Sequence, residues 1–165
     1  MKSRLVASAA ISALVLLGAT GCTFITPQST TIEYAASDGV NVNTGGPLEV
    51  RNALIVANED GSTGNLVAAI VNPGAADATL TFEIDGLEPF TVRVGGNEVL
   101  SLGTNAEPIR IDDLDSIPGS TIEVYFQSGD ETGEVIAVPV LDGTTPYYSD
   151  LVPAPLDDEE DEGDA

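Results

Sequence analysis

Apolar and polar residues alternate through most of the middle of this chain. The pattern is clearest where Leu80, Phe82 and Ile84 are separated by Thr81 and Glu83. Successive side chains of a β-strand point to opposite faces of a sheet, so this spacing predicts a half-buried strand. The same alternation occurs at residues 90–94, 121–127 and 136–140, and a long apolar run at 48–57 indicates a further strand.

The segments between these stretches have the composition of turns. Gly, Pro, Asn and Asp are concentrated at residues 59–64, 72–74, 85–86, 95–97, 118–119 and 129–130. These residues favour tight turns, and the body contains no stretch with a helical period. We therefore predict an all-β fold, an immunoglobulin-like antiparallel β-sandwich of about seven to nine strands.

The alternation also predicts which side chains form the core. We expect ten apolar residues to contribute to it: Leu54, Val56, Leu80, Phe82, Ile84, Val92, Ile122, Val124, Phe126 and Val138. Pro139 interrupts the last strand and has no N–H to donate. Its presence predicts either an edge strand or a position where the N–H is not needed for pairing.

The N-terminus has the pattern of an exported protein. Lys2 and Arg4 precede an apolar run at residues 5–17, and small residues follow it. This pattern predicts a signal peptide at residues 1–21, because the run is shorter than the about 20 apolar residues that span a membrane. Residues 19–22, Ala-Thr-Gly-Cys, resemble a bacterial lipobox. That resemblance implies cleavage before Cys22 and acylation of its thiol; the alternative is an ordinary signal peptide with a nearby cysteine.

Cys22 is the chain's one cysteine, so an intramolecular disulfide cannot form. Lipidation with palmitate-class acyl chains accounts for this lone exported thiol and would provide a stable membrane anchor. We expect a lipoprotein of the cell membrane, on its extracytoplasmic face, with residues 22–31 as tether. The covalent lipid is the one bound group expected, and no cofactor is predicted.

The chain is strongly acidic. Without the two basic residues of the signal, the formal net charge of −22 becomes −24. Nucleic-acid binding is excluded on this ground, since it needs a basic patch. We expect a protein partner with a basic surface. After the predicted sandwich domain at 32–150, residues 151–165 are predicted to form a disordered acidic tail, because seven of the eight residues at 157–164 are acids.

The residue types present exclude several kinds of chemistry. The chain has no histidine, and its one methionine is Met1, within the signal. Nucleophiles activated by histidine and sites for copper or zinc are therefore not expected, and we predict no catalytic residues and no enzyme activity. A hydrolase built on paired carboxylates is a remote alternative. Acidic clusters at 112–115 and 130–134 could hold calcium, although solvated turns in an acidic protein are the simpler explanation.

Two segments resemble a known family. Residues 118–127 followed by 133–140, ending in Val-Pro-Val, resemble the closing hairpin of the periplasmic copper-chaperone domain, the PCuAC family. Residues 50–72 resemble the opening of that domain. The resemblance implies a cupredoxin-like sandwich. Together with the lipobox, the chain resembles the LpqE-type lipoproteins of actinobacteria.

The chain departs from this family at the metal site. The family's His-x-Met copper ligands would fall at Pro108 and Arg110, and neither residue is a copper ligand. The resemblance implies a scaffold and, by analogy with LpqE-type proteins, an accessory subunit beside the respiratory supercomplex. Our first hypothesis is a non-catalytic binding or accessory subunit. The alternative is a metal-handling protein, either a degenerate copper-chaperone scaffold or a weak calcium binder.

Overall fold

The computed structural model describes residues 37–154 and, near the N-terminus, residues 4, 6–8 and 12. The N-terminal positions are helical and belong to a separate unit of the chain, Met1–Tyr34. In the part of the chain that is described, no helix is both long and apolar enough to cross a membrane. Cys22, the tether at 22–31 and the acidic run at 157–164 lie outside the described residues.

The body is all-β, as the alternation predicts. Its nine strands are β1 Val40–Asn43, β2 Glu49–Ala57, β3 Thr63–Val71, β4 Ala78–Ile84, β5 Phe90–Val94, β6 Val99–Leu102, β7 Ile109–Asp112, β8 Thr121–Ser128 and β9 Glu134–Leu141. A 3-10 helix, Ser149–Leu151, follows them. Alternation did not single out β1, β6 or β7, because strands of four residues are too short to display a period.

The strands form a barrel-like sandwich of two sheets. In the first sheet, β2 and β3 lie at the centre, β1 and β9 pair along one side of β2, and β6 and β7 pair along the other side of β3. The second sheet has the order β5-β4-β8-β9. Strand β9 belongs to both sheets: it pairs antiparallel with β8 and then, at Val140 and Leu141, parallel with β2. This change of partner closes one corner of the sandwich.

Pro139 lies where β9 passes from one sheet to the other. It is opposite Thr121 of β8, while the N–H of the next residue, Val140, donates to the carbonyl of Ser120 at 3.0 Å. Backbone groups alternate in direction along an antiparallel pair, so the nitrogen of Pro139 faces away from β8. Of the two predicted possibilities, the structure shows the second: β9 is not an edge strand, and proline occupies a position that donates nothing to β8.

A bulge in β2 changes which of its residues face the core. Between the pairs Arg51↔Ala69 and Leu54↔Val67, two residues of β2 lie opposite one residue of β3. Asn52 adopts a positive φ of 52° there, a conformation that Asn tolerates better than most residues. Its side-chain oxygen accepts a hydrogen bond from the N–H of Gly39 at 2.8 Å. Because of the bulge, the core-facing residues after it are Ala53, Ile55 and Ala57.

A row of three phenylalanines crosses the second sheet inside the core. Phe82 of β4 pairs with Phe90 of β5 and with Phe126 of β8. The rings of Phe82 and Phe90 stack with centroids 4.9 Å apart, and those of Phe82 and Phe126 are 6.2 Å apart. The predicted core residues Leu80, Phe82, Ile84, Val124, Phe126 and Val138 are all buried in this cluster, and Val92 and Ile122 pack against it half-buried.

Leu54 and Val56 are buried as predicted, but on the opposite face of β2. Both are 0% exposed, yet their neighbours Ala53 and Ile55 are the ones in the core cluster. The partners of Leu54 and Val56 across the β2–β3 pair are Val67 and Asn65. The segment at residues 142–154, called here the C-terminal strap, is bound to Asn65. The strap is therefore bound to the face on which Leu54 and Val56 lie, through the cross-strand partner of Val56.

Candidate functional site

The two positions at which the resemblance would place copper ligands lie at the start of β7, and one of them contacts the C-terminal strap. Pro108 directly precedes β7, and Arg110 lies within β7 opposite Asn65 of β3. The Arg110 Nε donates to Asp112 Oδ1 at 2.8 Å, and its Nη1 donates to the carbonyl of Ala154 at 2.7 Å. A guanidinium stays protonated in proteins and has no free electron pair for a metal. At this position the chain binds its own strap.

Three hydrogen bonds fasten the strap to the sandwich. Besides the bond from Arg110, Asn65 Nδ2 donates to the carbonyl of Leu151 at 2.9 Å. Tyr148 Oη donates to Asp38 Oδ2 at 2.6 Å. Burial and the nearby carboxylate of Asp38 raise the pKa of Tyr148 to about 12. The described part of the predicted tail, residues 151–154, thus contacts the body, and Pro153 is buried.

The acidic residues at 112–115 do not converge on a common point. Leu114 is buried between Asp113 and Asp115, which are exposed and adopt positive φ values of 56° and 48°. The N–H of Leu114 donates to the carbonyl of Ser62 at 2.9 Å, which fixes the loop with its carboxylates outward. The cluster at 130–134 forms the exposed β8–β9 turn. Among the residues the structure describes, no group of three or more His, Cys, Asp or Glu side chains could hold a metal ion.

An open groove lies at the end of the sandwich where β2, β7 and β9 finish. Its walls come from the β2–β3 turn, the β7–β8 loop and the C-terminal strap, and its volume is about 520 Å³. Ile117, in the β7–β8 loop, is 63% exposed, and Pro118 lies beside it. We call this feature the loop-end groove; its lining includes Ala57, Glu59, Ile117, Pro118, Asp142 and Val152.

The loop that carries Ile117 is held firmly on both sides. The N–H of Ser116 donates to the carbonyl of Gly61 at 3.1 Å, and Ser120 Oγ donates to the carbonyl of Ile117 at 2.6 Å. The N–H of Gly119 donates to the carbonyl of Val140 at 2.8 Å. The β2–β3 turn packs so closely that a Cβ on Gly61 would lie 2.6 Å from the backbone of Ser116. Ile117 is therefore exposed on an ordered loop.

Each arginine of residues 37–154 forms an ion pair with a neighbouring carboxylate. Arg51 pairs with Glu49 at 2.7 Å, Arg93 pairs with Asp77 at 2.8 Å, and Arg110 pairs with Asp112. Residues 37–154 contain these three arginines, no lysine and nineteen Asp or Glu. The surface of residues 37–154 therefore carries a strong net negative charge.

Several carboxylates are stabilised in their charged form. Hydrogen bonds from the hydroxyl and N–H of Thr144 lower the pKa of Asp142, which lies on the rim of the loop-end groove. Hydrogen bonds from Ser62 lower the pKa of Asp60 in the adjoining turn. These groups therefore keep their negative charge well into the acidic range.

Sequence patterns alone did not identify the loop-end groove. The signal that was available is Ile117-Pro118, an apolar pair within the polar stretch between Asp115 and Ser120. An apolar pair in this position is equally compatible with the start of a strand. Its exposure depends on the hydrogen bonds that turn residues 116–120 toward Gly61 and Val140, which come from distant parts of the chain.

Comparisons with known proteins give matches at the level of structure. No protein-family model matches the chain, and no curated protein matches it significantly. Among solved structures, the chain is similar to the apo PCuAC domain from PmoF1, with 17% identity, coverage of 61% of this chain and 97% of that one, and a TM-score of 0.49.

Two further similar structures come from PmoF2. The copper-bound PCuAC domain from PmoF2 has 12% identity, covers 62% of this chain and 97% of its own, and gives a TM-score of 0.48. The apo PmoF2 PCuAC domain has 11% identity, corresponding coverage of 64% and 97%, and a TM-score of 0.49. The structural neighbours of this chain thus include PCuAC domains; at these identities and TM-scores the likeness carries no conclusion about metal binding.

Proposed function

We propose that this chain is a lipid-anchored, extracytoplasmic lipoprotein that acts as a non-catalytic binding or accessory subunit. Its partner would be a protein with a basic surface, within a membrane complex such as the respiratory supercomplex. The observation that carries the proposal is the acidic surface of the body, on which Arg51, Arg93 and Arg110 each pair with a neighbouring carboxylate.

Charge of this kind favours one class of partner. Nineteen acids against three paired arginines create a negative field around residues 37–154. That field repels the anionic surface of a membrane over about 8 Å at physiological salt and attracts a basic protein face over the same distance. A lipid on Cys22 would hold the body near a membrane complex, and the electrostatic repulsion would keep it away from the lipid headgroups.

The titratable groups of the body support a binding role over a catalytic one. The shifted groups among the described residues are turn aspartates whose charged form is stabilised, and Tyr148, whose neutral form is stabilised. A general acid or base at neutral pH needs a pKa near 7. Shifts in these directions move the pKa of each carboxylate, and that of the Tyr148 phenol, further from 7.

Purification from membranes tests the proposed function. Membranes that contain the affinity-tagged full chain would be solubilised in mild detergent, purified at low salt and compared with the Cys22→Ala form. We expect a defined membrane complex to accompany the anchored chain, and to dissociate as salt rises, because charge pairing at a protein surface is screened. A chain that elutes without any stoichiometric companion at low salt contradicts the proposal.

The alternative, a metal-handling protein, remains a second hypothesis with less support. A copper-binding role would require soft ligands, and the sequence after Met1 contains none apart from Cys22. A calcium-binding role would require several oxygen ligands around one point, and the carboxylates at 112–115 diverge. Metal titration, described below, distinguishes this alternative from the binding role.

A further inference from the structure

The loop-end groove combines three properties that suit it to binding a partner. It is a concave space of about 520 Å³, it exposes a large apolar side chain at Ile117, and its rim carries Glu59 and Asp142. Concave sites of this size are typical of ligand recognition. An exposed isoleucine alone would need no explanation, but here it lies inside a groove next to Pro118.

The groove is ordered before any partner arrives. Hydrogen bonds to Gly61 and Val140 fix the loop on either side of Ile117, and the Ser116 and Ser120 hydroxyls bond to each other at 2.8 Å. An ordered apolar side chain loses little conformational freedom when it is covered, so more of its burial energy is retained in binding. Ile117 therefore has the properties of an interface anchor.

The charges around the groove specify the chemistry of the occupant. Glu59 and Asp142 line it, and Asp60 lies in the same turn as Glu59. No arginine or lysine is among the lining residues, and the three arginines of the described body pair elsewhere. An anionic surface such as a phospholipid headgroup layer would be repelled, whereas a cationic segment would be attracted.

We infer that the loop-end groove docks a segment of a partner protein in which an apolar side chain is flanked by Lys or Arg. The apolar side chain packs against Ile117 and Pro118, and the basic groups face Glu59 and Asp142. This inference rests on the proposed function, because it names the surface that an accessory subunit would use. It is narrower than that function, since a partner could in principle bind any acidic face.

Site-specific photocrosslinking in the full, membrane-anchored chain tests the inference. A photoreactive benzoylphenylalanine would replace Ile117 in one variant and Val135 in a matched control. Val135 is 56% exposed on the outer face of β9 and lies in a separate, smaller acidic depression of about 380 Å³, so it matches Ile117 in chemistry and differs in position. We expect a discrete protein adduct from position 117, with the crosslinked partner peptide containing Lys or Arg within a few residues, and little adduct from position 135.

Charge reversal then tests the role of the acids on the groove rim. Glu59→Lys, combined with the photoreactive residue at 117, should reduce the adduct about tenfold, as for loss of an important interface residue. The exposed Glu83→Lys on β4 should leave it unchanged. Far-ultraviolet circular dichroism and thermal unfolding of both variants would verify that the sandwich is intact.

The outcomes separate this inference from the proposed function. A membrane complex that co-purifies while adducts form equally at positions 117 and 135, or not at 117, overturns the groove as docking site and leaves the accessory role in place. If the peptide crosslinked at 117 lacks basic residues, or if the adduct persists with Glu59→Lys, the inference that the docked segment is cationic is overturned. Absence of both the complex and the adduct overturns both proposals.

Discussion

Tyr148 donates a hydrogen bond to Asp38 across 110 residues of sequence, with 2.6 Å between the two oxygens. The bond joins the C-terminal strap to the segment just before β1, where the described body begins. The strap also binds Asn65 and Arg110, so it is attached at three separate points. A segment that follows the last strand thereby becomes part of the folded body.

Replacing Tyr148 with Phe should lower stability in a pH-dependent way. Burial and Asp38 raise the folded-state pKa of Tyr148 to about 12 from its ordinary value of 10.0. A raised pKa means that the stabilisation is fully present below pH 10 and is lost as the pH rises toward 12. The stability difference between wild type and Tyr148→Phe should therefore be constant below pH 10 and shrink above it, as measured by urea unfolding.

Tyr147 provides the matched control for this prediction. Its side chain is 84% exposed. Tyr147→Phe should leave the free energy of unfolding unchanged across the same pH range. A difference between wild type and Tyr148→Phe that persists undiminished to pH 12 would show that the hydrogen bond is not its source.

Replacing Arg110 with Met should loosen the strap with little change in global stability. Arg110 donates to the carbonyl of Ala154, but its Nη2 is buried without a hydrogen-bond partner, and burying such a group is unfavourable. Because loss of the bond and removal of the unpaired group offset each other, we expect less than about 1 kcal/mol change in unfolding free energy. Hydrogen exchange at the three amides of this segment, those of Leu151, Val152 and Ala154, should become faster.

Arg93→Met is the control for the strap experiment. Arg93 forms an exposed ion pair with Asp77 on the second sheet. Surface pairs of this kind contribute about 0–1 kcal/mol, so both variants should have similar stability. Exchange at 151–154 that accelerates equally in Arg93→Met, or in neither variant, would contradict a specific role for Arg110.

Truncating Phe126 to Ala should destabilise the sandwich strongly. Phe126 is 0% exposed and packs beside Phe82 in the aromatic row. Removing a buried Phe side chain costs about 3–5 kcal/mol, because the burial energy is lost and a cavity remains. Tyr125→Ala, at the adjacent half-buried position on the outer face, should cost clearly less. Equal losses from the two substitutions would show that the inner face of β8 is not the core.

Replacing Cys22 with Ala should abolish the lipid anchor. The predicted lipid on Cys22 is the anchor, and the sequence contains no other apolar stretch long enough to hold a bilayer. The variant should appear in the soluble fraction or as uncleaved precursor. A processed Cys22→Ala protein that still enters the detergent phase would falsify the lipoprotein interpretation.

Titration with metal ions should reveal no tight copper site. Histidine is absent from the sequence and methionine is limited to Met1, so Cu(I) lacks its preferred ligands. Calcium should bind weakly at most, and deleting residues 157–164 should reduce that binding without unfolding the sandwich. Isothermal titration with Cu(I) and Ca²⁺ provides the measurement. A saturable submicromolar Cu(I) site, or a stoichiometric calcium site that survives the deletion, would favour the metal-handling alternative.

The amino-acid sequence by itself determined the long strands and the inner faces of the second sheet. Leu80, Phe82 and Ile84 face the core because the side chains of a strand alternate and the opposite face is polar. The same local rule placed Phe126 and Val138 inside. Periodicity succeeds at these positions because one face of the sheet is packed and the other meets water.

Tertiary structure decided what depends on distant chain segments. The bulge at Asn52 changed the face on which Leu54 and Val56 lie, and the strap is bound to that face through Asn65. Ile117 is exposed because Gly61 and Val140 bind the backbone around it, and Arg110 is engaged because Ala154 returns to β7. A local pattern can show that a residue is apolar or charged, but its surroundings depend on which remote segment comes to lie beside it.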